Sequence, residues 1–250
     1  MRIATWNVNS VGARLPRLLP WLEQVAPDVV ALQETKCTDS AFPYADVKAA
    51  GYDAAHSGDG RWNGVAILSR VGLDGVSRVL DGHPEPRLVS AQCGPLHVTS
   101  VYVPNGRALD NPHYTYKLAW FRALRERLEG FSREQPLVVM GDLNVALHDR
   151  DVWDIARFEG STHVTPAERA AVQELIDWGL VDVQARPGKG AVPFTFWDYR
   201  AGMMHKDLGM RIDYLLTTAA VPVRDAWVDR EARKGKGASD HAPLVADLAL

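Results

Sequence analysis

Leu137-Val138-Val139-Met140-Gly141-Asp142-Leu143-Asn144 is the stretch that decides how this chain folds. An apolar run rich in valine ends in a glycine, followed by a carboxylate and an amide two positions apart. Such a run is short for a helix and suits a strand covered on both faces. Because side chains alternate along extended backbone, Asp142 and Asn144 emerge on the same side and can address one ligand. An Asx-type turn accounts for the same two residues without any ligand.

Similar runs recur outward from this one. Strands are expected at Ile3 to Val8, Asp28 to Leu32, Gly64 to Ser69, Val89 to Cys93, Leu96 to Val103, Ile212 to Thr217 and Leu244 to Leu248. Leu88 to Val103, with Gly94 and Pro95 at its middle, has the form of a hairpin, so the sheets are expected to be mixed. Helical periodicity marks Leu15 to Val25 and Tyr116 to Leu128. A third helix is expected from about Pro166 to Trp178, because Thr165 can cap it, Pro166 suits its first position, Glu168 completes a capping box and Gly179 stops it. Strands alternating with such helices indicate a layered α/β or α+β arrangement. No linker, repeat or composition shift divides the chain, so residues 1–250 are expected to form one domain.

Composition narrows the function classes. With 46% hydrophobic and 24% charged positions, the chain is an ordinary globular sequence. Its start, Met1 to Asn7, has the pattern of a strand and lacks the features of a secretion signal, so a cytoplasmic location is expected. The longest apolar stretches, such as Leu244 to Leu250, are too short to span a bilayer. Cys37 and Cys93 lack the spacing of zinc or redox motifs, and two reduced thiols are expected. A net charge of −3 does not advertise nucleic acid, so any polyanion must be held by local positive patches and by metal.

Acidic and amide side chains recur where strands end, which is where open α/β sheets place ligand sites. Asn7 closes the first strand in Ala4-Thr5-Trp6-Asn7, and Glu34 follows the second in Leu32-Gln33-Glu34-Thr35-Lys36. Alone, each is as readily a turn residue or a solvated carboxylate. Asp213 lies inside an apolar strand, where an unpaired carboxylate is costly, so it requires a cationic or hydrogen-bonded partner. Ser239-Asp240-His241-Ala242-Pro243 offers one at the mouth of the last strand, although an Asp-His pair in a loop is also a common surface feature.

Taken in order, Asn7, Glu34, Tyr102 with Asn105, Asp142 with Asn144, Asp213, and Asp240 with His241 resemble the endonuclease/exonuclease/phosphatase superfamily along essentially the whole chain. Gln33-Glu34-Thr35-Lys36, Tyr102-Val103-Pro104-Asn105-Gly106, Thr195-Phe196-Trp197-Asp198-Tyr199 and Met210-Arg211-Ile212-Asp213 are similar to its bacterial exonuclease III branch. The resemblance implies an α+β fold, a four-layered α/β/β/α sandwich with two mixed sheets face to face, helices outside and the site at one end between the sheets. It implies a Mg2+-dependent DNA phosphodiesterase of base excision repair, with Mn2+ as an alternative ion. Such an enzyme incises double-stranded DNA 5′ to abasic sites and removes 3′ blocking groups and nucleotides, leaving 3′ hydroxyls.

By the same resemblance Glu34 is the principal metal ligand, with Asn7 and Asp240 completing or supporting its shell, as hard oxygen donors suit Mg2+. Asp142 is expected to activate the water and Asn144 to position it. His241, oriented by Asp213, is expected to donate to a phosphate oxygen, Tyr102 to contact the phosphate or the leaving oxygen, and Asn105 to hold the scissile group. Phe196, Met210 and Ile212 match the pocket for an abasic sugar, and are as readily plain core residues. Met210 stands where some relatives carry an aromatic and Asn9 where some carry an acid. Phosphate contacts are expected from Arg107, Lys117, Arg211 and the basic loop containing Lys234. A lipid or inositol-phosphate phosphodiesterase, a nonspecific deoxyribonuclease and a catalytically silent nucleic-acid binder are the competing readings. The sequence gives no warrant for oligomerisation, so a monomer is expected.

Overall fold

A computed structural model describes residues 1–250. Twelve strands form two six-stranded sheets. In spatial order the first holds β11 (Val223–Val228), β12 (Leu244–Leu248), β1 (Arg2–Asn7), β2 (Val29–Gln33), β4 (Val65–Ser69) and β3 (Asp53–Ser57). The second holds β5 (Asp74–Ser77), β6 (Leu88–Cys93), β7 (Leu96–Tyr102), β8 (Leu137–Asp142), β10 (Asp213–Thr218) and β9 (Leu180–Asp182). Each sheet is mixed: only β1–β2 and β7–β8 pair parallel. The expected hairpin is the β6–β7 pair, in register from Leu88↔Val101 to Cys93↔Leu96.

Three cores separate four layers. Between the sheets, Ile3, Ala31 and Ile67 pack with Val98, Met140 and Leu215. Outside the first sheet, Trp6, Val30 and Leu68 are covered by Leu18, Trp21 and Leu22 of α1 (Val11–Val25) and by Val47 of α2 (Tyr44–Ala49). Outside the second, Val101, Val139 and Tyr214 are covered by Trp120 and Leu124 of α3 (Pro112–Leu128) and by Val172 and Leu175 of α4 (Pro166–Trp178). The sandwich is therefore α/β/β/α, as the resemblance implied.

Local chemistry sets the helix ends. In α4 the Thr165 side chain accepts from Glu168 N and the Glu168 side chain accepts from Thr165 N, so the capping box forms as read from the sequence. Both α1 and α3 start a turn earlier than their apolar stripes, because Ser10 caps one and Asn111 caps the other ahead of Pro112. No helix is long and apolar enough to cross a membrane. Cys37 and Cys93 are free thiols.

The strand alternation also places the polar residues. Along β8, Val138 and Met140 face the inter-sheet core and Val139 faces the helices, so Asp142 also points between the sheets. Leu215 sets the same parity for Asp213 on β10, Val98 for Tyr102 on β7, and Ile3 for Asn7 on β1. Asp142 is in register with both Tyr102 and Asp213, and Asn7 with Gln33. The inter-sheet layer thus changes from apolar to polar at one end of the sandwich.

Candidate active site

Gly141 lets β8 deliver Asp142 to this end. Its φ is 151°, and a Cβ there would fall 1.9 Å from the Val101 carbonyl oxygen of β7, so only glycine permits the close strand approach. Asp142 then takes two roles. Its Oδ1 accepts from Asn144 N at 2.9 Å, the Asx turn considered from sequence. Its Oδ2 accepts from Asn7 Nδ2 at 2.9 Å. Asn7 Nδ2 also donates to Glu34 Oε1 at 2.8 Å, so one amide ties together carboxylates from the two sheets. Asn7 Oδ1 accepts from Asn9 N at 3.0 Å, which fixes the amide beside both carboxylates.

His241 enters from the loop before β12. Its Nδ1 lies 2.8 Å from Asp213 Oδ2 and its Nε2 lies 3.8 Å from Asp142 Oδ2. Burial opposes a charge on this imidazole, but the Asp213 carboxylate, with Asp142 and Asp240, outweighs it and raises the His241 pKa to about 10. Asp213 therefore has the partner its apolar strand demanded. Thr195 Oγ1 holds the strand from behind, accepting from Ile212 N and Asp213 N at 3.2 Å each. Ser239 Oγ donates to Asn7 O at 2.7 Å and accepts from His241 N at 3.3 Å, which joins the His241 loop to the end of β1.

Charge at this end is in excess on the negative side. Burial and the neighbouring Asp213 carboxylate push the Asp142 pKa up to about 7. One buried oxygen of Asp213, Oδ1, has no hydrogen-bond partner. Ligand atoms of Glu34, Asp142 and His241 lie within 4.8 Å of one another. A carboxylate-rich corner of this kind fits a hard divalent cation, with the Glu34 carboxylate as its principal oxygen donor. The acidic residue beside His241, Asp240, is not one of the three. Its Oδ1 accepts from Asn9 Nδ2 at 3.1 Å.

Tyr102 and Asn105 are also brought to this end. Burial, then the charges of Glu34 and Asp142, holds the Tyr102 hydroxyl well above the ordinary tyrosine range, so it stays a proton donor. Asn105 Nδ2 donates to Asn144 Oδ1 at 3.2 Å. Phe196, Met210 and Ile212 converge: Met210 and Ile212 are buried, and the half-buried Phe196 ring packs on them and sits 4.9 Å from the His241 ring. Arg107 and Lys234 are exposed.

Two expected phosphate contacts are corrected. Lys117 is wholly buried: its Nζ donates to Glu168 Oε1 at 2.5 Å, to Asn144 O at 2.7 Å and to Asn105 O at 3.3 Å. The ammonium fixes the backbone of both amide loops and cannot reach solvent. Arg211 is buried against Asp182 and Asp151 and stacks on Tyr214, so its charge is spent inside the fold.

Other site residues escaped the sequence reading. His163 Nε2 lies 3.1 Å from Asn105 Nδ2 and 3.2 Å from Asn144 Oδ1. Arg87 stacks on the Tyr102 ring and pairs with Glu85. His163 lies in a loop away from any strand, and Arg87, directly before β6, looks in sequence like a solvated flank.

A model of the Endonuclease/Exonuclease/phosphatase family matches residues 4–241, the span from β1 to His241. The chain belongs to this family. Exodeoxyribonuclease III of Haemophilus influenzae is 30% identical over 269 residues, covering 99% of this chain and 100% of that protein. Among solved structures, an AP endonuclease from Archaeoglobus fulgidus superposes with a TM-score of 0.96 at 35% identity, each chain covered in full. The 3′ phosphatase NExo from Neisseria, bound to product DNA hairpin, superposes at 0.95 and 36%, again over both whole chains. This member of the family thus has the exonuclease III likeness that its motifs suggested.

Proposed function

We propose that residues 1–250 act as one catalytic domain, a cytoplasmic monomer that hydrolyses phosphodiesters of double-stranded DNA in base excision repair. It would incise 5′ to abasic sites and remove 3′ blocking groups and nucleotides, leaving 3′ hydroxyls. The observation that carries this reading is the buried meeting of Glu34, Asp142 and the Asp213–His241 pair, in a chain this similar to an exodeoxyribonuclease III and an AP endonuclease.

The cation we favour is Mg2+, with Mn2+ able to replace it; when bound, it polarises the phosphate and offsets developing negative charge. Each side chain then has a task its surroundings allow. Asp142, with its pKa near 7, is suited to take a proton from the attacking water at neutral pH. His241 has Nδ1 committed to Asp213, so Nε2–H is left to donate to a non-bridging phosphate oxygen. Tyr102 offers a hydroxyl proton toward the phosphate or the leaving oxygen. Asn144 and Asn105, joined to each other, position the water and the scissile group. Arg107 would meet backbone phosphates, as would Lys234 on leaving its exposed pair with Glu231, and Phe196, Met210 and Ile212 form the apolar wall against an extruded abasic sugar.

One labelled duplex carrying an abasic site and a recessed 3′ end tests the proposal. The expected products are a nick 5′ to the abasic site and a shortened 3′ end, both ending in 3′ hydroxyls and both lost on chelation. Absence of cleavage by pure, metal-loaded protein would defeat it, and hydrolysis of phospholipid in preference to DNA would transfer the site to another substrate class.

A further inference from the structure

We infer that the ammonium of Lys36 is a resident cation filling the corner between Glu34, Asn9 and Asp240, so that this centre holds one divalent ion and not two. The inference rests on the reading of the site as cation-dependent. The two oxygens of Glu34 have different neighbours. Oε1 accepts from Asn7, which also holds Asp142. Oε2 pairs with Lys36 Nζ at 2.8 Å. The same ammonium donates to Asn9 Oδ1, and Asn9 Nδ2 donates to Asp240 Oδ1 at 3.1 Å. A continuous run of matched polar atoms, Glu34 to Lys36 to Asn9 to Asp240, therefore closes this side of the site. A second ion between Glu34 and Asp240 would have to displace an ammonium from a carboxylate, and would meet a neutral amide at Asn9 where an acid would attract it.

Lys36 is not a loose surface side chain. Its φ is 53°, that of Glu34 is 51° and that of Asn9 is 45°, a left-handed region that residues with a Cβ seldom occupy. Backbone bonds impose these angles: Lys36 N donates to Asn63 O at 3.0 Å, Thr35 N to Gly64 O at 3.1 Å, and Ser10 N to Glu34 O at 2.6 Å. The loops after β1 and β2 are thereby laced together with Asn9, Glu34 and Lys36 facing one another. Only 26% of the Lys36 side chain is exposed. Such a lysine supplies positive charge that is present whether or not an ion is bound.

Equilibrium dialysis and electron paramagnetic resonance, with Mn2+ alone and no DNA, count the ions. Wild type, K36R and N9D are each expected to bind one Mn2+ per chain, since all three keep a positive charge at position 36. K36Q should bind its ion roughly tenfold tighter, because a unit charge about 6 Å from a divalent ion in a water-like dielectric changes binding by that order. K36Q/N9D should bind two. Two ions on the wild type, K36Q binding no tighter than wild type, or K36Q/N9D remaining at one ion would each overturn the inference. Circular dichroism confirms that each variant is folded, and if K36Q is not, the wild-type and K36R counts still decide. A chain that binds one Mn2+ yet cleaves no DNA would defeat the nuclease proposal and leave this one standing.

Discussion

Replacing Lys117 with methionine separates a lysine that binds DNA from one that holds the site together. Lys117 and Glu168 both have fully buried side chains, and Glu168 also accepts from His163 N at 2.9 Å and Thr165 N at 3.1 Å. Removing the ammonium leaves a buried carboxylate without its cation, a loss of about 3–5 kcal/mol. For a chain of 250 residues, an unfolding entropy of about 2.1 cal/mol/K per residue converts that loss into a fall in Tm of about 6–10 °C. Calorimetry of wild type, K117M and K117M/E168L measures it, and the double variant should recover much of the loss because no charge is left unpaired. The salt dependence of DNA binding supplies a second reading: a lysine on a phosphate contributes about 0.9 to the slope, and K117M should leave the slope unchanged. An unchanged Tm together with a slope lower by about one would refute this reasoning and return Lys117 to the DNA interface.

Three further outcomes follow from the geometry. D142N should lower cleavage by about 10²–10⁴-fold, the usual worth of a positioned proton acceptor, measured in single turnover at saturating Mg2+. His163 is held down to about 4 by burial and by the Lys117 charge. Between pH 6.5 and 4 the unfolded chain therefore carries a proton on this residue that the native one lacks, so the contribution of His163 is complete above 6.5 and falls by up to about 3 kcal/mol as pH drops to 4. His56 and His97 are lowered by burial and act in the same direction, so H163N should shrink, not abolish, the loss between pH 7 and 5 in urea unfolding. G141A should fold poorly or lose more than about 3 kcal/mol, because its Cβ would meet the Val101 backbone and part the strands that carry Tyr102 and Asp142; a Tm equal to that of wild type would contradict the close approach.

What the sequence revealed, and what it hid, divides along a physical line. The eight strands expected from apolar runs are the eight interior strands, and the four missed, β3, β5, β9 and β11, are the four sheet edges. An edge strand is half solvated, so Asp74–Ser77 and Val223–Val228 carry polar residues where an interior strand carries valine. Likewise Asn7, Asp142 and Asp213 were visible because a polar group ending or interrupting an apolar strand is anomalous. Lys117 and Arg211 were misplaced because their partners lie far off in the chain: Glu168 is 51 positions from Lys117 and Asp182 is 29 from Arg211. A charge buried by a tertiary ion pair looks, in sequence, like a charge in water. His163 sits in a loop with no apolar periodicity around it, so nothing local distinguished it.

In the proposed function one carboxylate corner binds a divalent ion and supports hydrolysis. Anomalous diffraction from crystals grown with Mn2+ tests that most directly. The expected result is a single peak bonded to the Glu34 carboxylate at about 2.2 Å, on the side of Asn7 and Asp142. A peak elsewhere with none at Glu34, under conditions where the protein cleaves DNA, would contradict it.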